Sequence, residues 1–219
     1  TVLNSTAVFI VWKPPSPQQI NGINQGYEIQ AWQQEKVDNT WRDVLVRTIK
    51  VAPNLINPLE EQNCTMSDLK PFTSYNFTVL CFTNPGDGVR SQPISIKTEQ
   101  DIPGEVSDLQ FDDVSDRELT IKWNEPKEPN GIVLGYEVRY KIKETSDIKQ
   151  VNLTAHQKSL HVTQLKAMTH YWFEVKAWTV KGGGIPRTAV IQSGIEPVIP
   201  DPPKALALSN IEAFSVVIQ

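Results

Sequence analysis

The sequence predicts an all-β protein of two-layer sandwiches strung in tandem. Three observations predict it: a repeat of whole-domain length, strand-length runs with one apolar face, and turn clusters between those runs. Asn21-Gly22-Ile23, then Gly26-Tyr27-Glu28-Ile29, returns as Asn130-Gly131-Ile132, then Gly135-Tyr136-Glu137-Val138. Leu69 to Tyr75 returns as Leu165 to Tyr171, and Val106 to Lys122 returns as Pro203 to Gln219. The period is about 100 residues, which is a domain and not a solenoid unit.

The elements follow in order. Val8, Ile10 and Trp12 alternate with outward positions, as a half-buried strand requires, and Pro14-Pro15-Ser16-Pro17 ends that run. Tyr27, Ile29 and Ala31 alternate next. Tyr75, Phe77, Val79 and Cys81 do the same ahead of the turn Asn84-Pro85-Gly86-Asp87-Gly88. In the second copy the runs are Leu119, Ile121, Trp123 and Tyr171, Phe173, Val175, Ala177, the latter closed by Lys181-Gly182-Gly183-Gly184. No long segment carries a helical period. Short strands, each with one apolar face, demand two sheets packed face to face.

Length and charge bound the function. A chain of 219 residues suits two domains of about 100 to 110. A formal net charge of -4 offers neither nucleic acid nor an anionic membrane surface an electrostatic foothold. The longest apolar runs, such as Ala7 to Val11, are strand-length and far short of a membrane span. Neither a signal peptide nor a lipidation motif is present, so the chain reads as an internal fragment.

Particular residues narrow the fold. An early-strand Trp precedes Pro as Trp12-Lys13-Pro14 and as Trp123-Asn124-Glu125-Pro126. Leu69, Pro71, Thr73 and Tyr75 form a corner motif that recurs, without its proline, as Leu165, Ala167, Thr169 and Tyr171. Gly86-x-Gly88-x-x-Ser91 opens the last strand. In these features the whole chain resembles the fibronectin type III domain, which implies that each corner Tyr buries its ring and satisfies its hydroxyl on nearby backbone. The expected division is a domain over 1–99 lacking most of its first strand, a complete domain over 100–196, and the first strands of a third over 197–219. The linker around Glu99 to Gly104 is short and has no Gly/Ser run, so limited bending is expected.

Asn130 to Tyr136, and Ser193-Gly194-Ile195-Glu196-Pro197 through Leu208 to Ile211, resemble the Sidekick family of immunoglobulin-superfamily cell adhesion proteins. That resemblance implies a parent with immunoglobulin domains, a long fibronectin type III stalk and a single plasma-membrane span. This chain would then be extracellular stalk, spacing homophilic recognition domains in cell–cell, chiefly neuronal, adhesion. The partners would be proteins, met through other domains of the parent. Two other readings stay open: an ectodomain segment of a receptor enzyme such as a receptor tyrosine phosphatase, and a ligand-binding domain pair.

No catalytic, metal or cofactor residue is expected. His156, His161 and His170 lie near no Cys or carboxylate cluster at ligand spacing and near no nucleophile. The glycine clusters precede no helix that might hold a phosphate, and Asp112, Asp113 and Asp116 lack the pattern of a calcium loop. Where fibronectin displays Arg-Gly-Asp, this chain has Pro85-Gly86-Asp87, so integrin binding through that motif is not expected.

Four features remain as candidates. The sequons at Asn4, Asn63, Asn76 and Asn152 predict N-glycans on exposed asparagines. Cys64 and Cys81 match core positions Leu160 and Ala177 on facing sheets. Sheets stand ~10 Å apart and a disulfide needs Cα atoms within ~7 Å, so two buried free thiols are favoured, with a Cys64–Cys81 bond as the alternative. Parity puts Leu80 and Phe82, with Trp32 on the neighbouring strand, on an outer face. They form either an interaction patch or an apolar surface covered by long side chains of the edge strand. Trp172 and Trp178 should also face outward, stacked on Arg139 or Lys141.

Overall fold

A computed structural model describes residues 1–194, leaving out the side chains of 36 and 37, and the backbone of 208–212 and 215–218. The first module holds β1 (Val8–Trp12), β2 (Asn24–Val37), β3 (Thr40–Val51), β4 (Gln62–Met66), β5 (Ser74–Thr83), β6 (Gly86–Asp87) and β7 (Ile94–Lys97). The second holds β8 (Ser107–Asp112), β9 (Leu119–Asn124), β10 (Gly135–Ile142), β11 (Lys149–Thr154), β12 (Ser159–Val162), β13 (His170–Thr179), β14 (Gly182–Gly183) and β15 (Arg187–Gln192). An antiparallel pair, β16 (Leu208–Glu212) and β17 (Ser215–Ile218), follows. The rest of the third domain expected over 197–219 lies outside the described residues. No helix among them is long and apolar enough to cross a membrane.

Each module is a two-sheet antiparallel sandwich. In the first, the pair β1-β4 faces the sheet β3-β2-β5-β6, with β7 also on β5. In the second, β12-β9-β8 faces β11-β10-β13-β14, with β15 on β13. The alternating residues meet between the sheets. Val8, Trp12, Tyr27, Ile29, Tyr75 and Phe77 build one core, and Leu119, Ile121, Trp123, Tyr136, Phe173 and Val175 build the other. In both, the strand Trp packs on the Tyr of the Gly-Tyr-Glu repeat, at 5.3 Å for Trp12–Tyr27 and 5.5 Å for Trp123–Tyr136.

That repeat has a steric reason. A Cβ on Gly135 would stand 2.3 Å from the Leu153 carbonyl oxygen, and one on Gly26 would stand 2.7 Å from that of Val51. Only glycine lets the neighbouring strand pass so close.

The corner tyrosines behave alike in both modules. The Lys70 N–H donates to Tyr75 Oη and the Lys166 N–H to Tyr171 Oη, each at 2.8 Å. Thr73 Oγ1 donates to the Pro71 carbonyl and Thr169 Oγ1 to the Ala167 carbonyl. The corner therefore needs a carbonyl at that position and not a proline ring. Burial raises the Tyr75 phenol above its ordinary pKa. Tyr75→Phe and Tyr171→Phe each strand a backbone N–H and are expected to destabilise their own module by about 1–3 kcal/mol, read by urea titration.

One hairpin sets the first module apart. β2 pairs with β5 only as far as Gln33, whereas its pairing with β3 continues to Val37. The two-residue turn Asp38-Asn39, with φ of 49° and 63°, closes this projecting ribbon. A bulge at Val46, between the Ala31 and Trp32 pairings, twists the edge strand β3 away from flat pairing.

Candidate functional site

Thr98 is the last residue bonded wholly into the first module. Its hydroxyl donates to the Lys70 carbonyl at 2.7 Å and accepts from the Thr73 N–H at 2.9 Å. Ser193 repeats both bonds in the second module, with Lys166 and Thr169. From Thr98 onward no linker residue runs free. The Glu99 carbonyl accepts from the Phe72 N–H at 2.8 Å, while its carboxylate pairs with Lys181 Nζ at 2.7 Å. Glu99 thus grips one module with its backbone and the other with its side chain.

The next residues close onto the second module. Gln100 Oε1 accepts from the Ile132 N–H at 2.8 Å, and the Asp101 N–H donates to the Asn130 carbonyl at 2.7 Å. The Asp101 carbonyl accepts from Thr179 Oγ1 at 2.8 Å, and the Ile102 carbonyl accepts from Asn130 Nδ2 at 2.9 Å. Backwards, Asp101 Oδ2 accepts from Ser5 Oγ of the first module at 2.5 Å, and Oδ1 accepts from the Ile102 N–H. These bonds, with Lys181 nearby, hold the Asp101 carboxyl below its usual value. The Glu99 carboxylate raises the Lys181 pKa.

This joint assigns a job to the Asn130-Gly131-Ile132 repeat. Asn130 sits at φ 51°, a left-handed conformation that Asn tolerates, which lets carbonyl and carboxamide both meet the linker. A Cβ on Gly131 would stand 2.5 Å from Gln100 Oε1. Beyond the clamp, Pro103 lies against Gly184, whose added Cβ would meet the Pro103 carbonyl oxygen at 2.3 Å. In the first module the matching place beside Gly88 and Val89 is an open groove of about 660 Å³ that reaches Trp12 and Tyr27.

The glycan, thiol and patch candidates do not gather at this joint. Asn4, Asn63 and Asn152 are exposed. Asn76 is half-buried, where an exposed asparagine was expected: Ser95 Oγ donates to its Oδ1 at 2.5 Å and Trp32 flanks it across the strand pair. Cys64 and Cys81 are free and half-buried against the core. Burial raises both thiols, Cys64 to about 11. Little thiolate therefore exists at neutral pH, and native protein is expected to react slowly with thiol reagents. Unfolded without reductant, it should titrate two thiols per chain; none would mean a disulfide.

Trp32, Leu80 and Phe82, offered by the sequence as either a patch or a covered apolar surface, do not form one exposed surface. Leu80 has outer-face parity but is only 6% exposed. Arg90 crosses that face, reaching Glu28 Oε1 at 2.7 Å and Thr78 Oγ1 at 3.3 Å, and Glu28 lies directly opposite Leu80. Phe82 is half-buried under Lys50 of edge strand β3, whose Nζ is 5.1 Å from the ring centroid. Trp32 pairs with Asn76 and so lies four residues from Leu80, ~13 Å at about 3.3 Å per residue. The apolar residues sharing the Trp32 face are instead on the ribbon: Leu45 opposite Trp32, then Trp41, which is 68% exposed. The sequence reading missed the ribbon, although Asp38-Asn39 between strand-forming runs marks its turn.

The second module's outer face is a charge ladder. Lys141 Nζ lies 5.8 Å from the Trp172 ring, as expected, but Trp178 is met by Lys176 at 5.4 Å. Arg139 is not stacked on either. It pairs with Glu137 at 2.8 Å and Glu174 at 3.7 Å, and Lys176 also reaches Glu137 at 2.9 Å.

Comparison with known proteins agrees with this architecture. The fibronectin type III domain family matches residues 1–97 and 104–193. Protein sidekick of Drosophila melanogaster is 57% identical over 218 residues, covering 99% of this chain and 10% of the relative. Protein sidekick-2 of Gallus gallus is 39% identical over 220 residues, with 99% and 10% covered. Protein sidekick-1 of Homo sapiens is 36% identical over 220 residues, with 99% and 9% covered. The chain spans about a tenth of the length of the curated relatives it matches. It belongs to the fibronectin type III family, as a tandem segment that matches the Sidekick proteins along nearly all of its own length.

Proposed function

We propose that this chain is an extracellular, non-catalytic spacer in the stalk of a single-pass cell adhesion receptor. It sets the distance and angle at which other domains of the parent meet their partners, homophilically and between neurons. The carrying observation is the joint: every residue from Thr98 to Ile102 is hydrogen-bonded to one module or the other. A linker without slack turns two sandwiches into a strut, whereas a flexible one lets them swivel. Exposure of Asn4, Asn63 and Asn152 supports N-glycans at these sites, in keeping with a secreted surface.

Cell aggregation by the parent receptor tests the spacer role. Replacing this segment by a Gly/Ser linker of equal span should abolish aggregation, and an unrelated rigid pair of the same length should restore it. Full activity with the flexible linker would contradict the reading.

A further inference from the structure

The outer face of the first module's larger sheet holds a carboxamide and an indole side by side. Register places Asn76 of β5 opposite Trp32 of β2 on one side and opposite Ser95 of β7 on the other. Residues so opposed have Cβ atoms about 4.5–5.5 Å apart. Ser95 Oγ donates to Asn76 Oδ1 at 2.5 Å. The oxygen and nitrogen of a carboxamide diverge from one trigonal carbon. With the oxygen turned to β7, Nδ2 is turned to β2, where Trp32 stands half-buried.

Asn76-Phe77-Thr78 is a sequon, so that nitrogen is the atom a glycosyltransferase would modify. Of the four sequon asparagines, only Asn76 is paired directly across a strand with an aromatic residue. Val11 is opposite Asn63 and Glu137 is opposite Asn152, while Asn4 uses its Oδ1 to accept from the Thr6 N–H in a turn.

We propose that Asn76 carries an N-linked glycan whose first N-acetylglucosamine packs its C–H face on the Trp32 indole. The donor is an oligosaccharide linked to a lipid diphosphate in the secretory pathway. Nδ2 bonds to sugar C1, the C1–O bond to the diphosphate breaks, and the diphosphate leaves with that electron pair. The nitrogen gives up one proton to a base of the transferase. Ser95 then keeps the amide oriented, and the sugar's C–H groups meet the negative face of the ring.

The inference rests on the extracellular reading, and the four sequons separate its failure from that of the reading. The chain is secreted from insect cells, and occupancy is read by glycopeptide mass spectrometry. Endoglycosidase trimming leaves one sugar per site, and the melting temperature is compared with that of Asn76→Gln. Asn76 should be occupied, and its single sugar should raise the first module's Tm by about 3 °C. In a Trp32→Leu background the rise should vanish, and in Trp32→Phe it should be intermediate. Glycans at Asn4, Asn63 and Asn152 with none at Asn76 would overturn this inference alone. So would an equal rise with and without Trp32. Four empty sequons would overturn it together with the extracellular reading.

Discussion

Phe173→Ala is expected to lower the stability of the second module by about 3–5 kcal/mol and to leave the first module's melting transition in place. Phe173 is fully buried, with Tyr140 stacked on it at 5.4 Å and Phe111 edge-on at 5.3 Å. Truncation removes both ring contacts and opens a cavity between sheets whose other members are held by their strands. At roughly 4–8 °C per kcal/mol for a domain of this size, the transition should fall by well over 10 °C. The first module should not follow, because the two cores share no residue. Calorimetry of the intact pair gives the answer in one scan. A parallel fall of both transitions would mean that the pair unfolds as a single cooperative unit.

Asp101→Ala combined with Thr179→Val is expected to free the joint without unfolding either sandwich. Asp101 Oδ2 is the acceptor for Ser5, Oδ1 is the acceptor for the Ile102 N–H, and Thr179 Oγ1 holds the Asp101 carbonyl. Each such bond contributes about 0.5–1.5 kcal/mol, and none of them belongs to either core. Small-angle scattering should show the variant sampling a wider range of lengths than the parent chain, with both melting transitions retained. Acid should mimic the variant. The folded Asp101 carboxyl titrates below its unfolded value of 3.8, so its contribution is complete above about pH 5 and is lost as pH falls through the folded value. A joint equally stiff at neutral pH and in acid would remove Asp101 from its mechanism.

Strand parity and the repeat made the sandwiches legible, because side chains that alternate every two residues leave little choice of face. The corner motif was equally readable, since Leu69 to Tyr75 and Leu165 to Tyr171 carry their partners within a few residues. The joint was legible only as a short linker. Its bonds run from Asp101 to Ser5 and Thr179, far away in sequence, and no local pattern announces them. Asn130-Gly131-Ile132 stood out as a repeat, yet its role as a clamp needed the left-handed Asn130 and the path of Gln100. Leu80 shows the limit of parity. Its face follows from alternation, but it is buried on a face that Arg90 crosses from another segment to reach Glu28, a long-range pairing that periodicity does not report.

Stiffness of the joint is tested most directly by a distance measurement between the two modules. Spin labels at Lys13→Cys and Ser146→Cys, both exposed positions, report it once Cys64 and Cys81 are replaced by the Leu and Ala of the second module. Pulsed electron resonance should give one narrow distribution at neutral pH, which broadens in the Asp101→Ala, Thr179→Val variant. A broad distribution in the parent chain, unchanged by the variant, would contradict the strut.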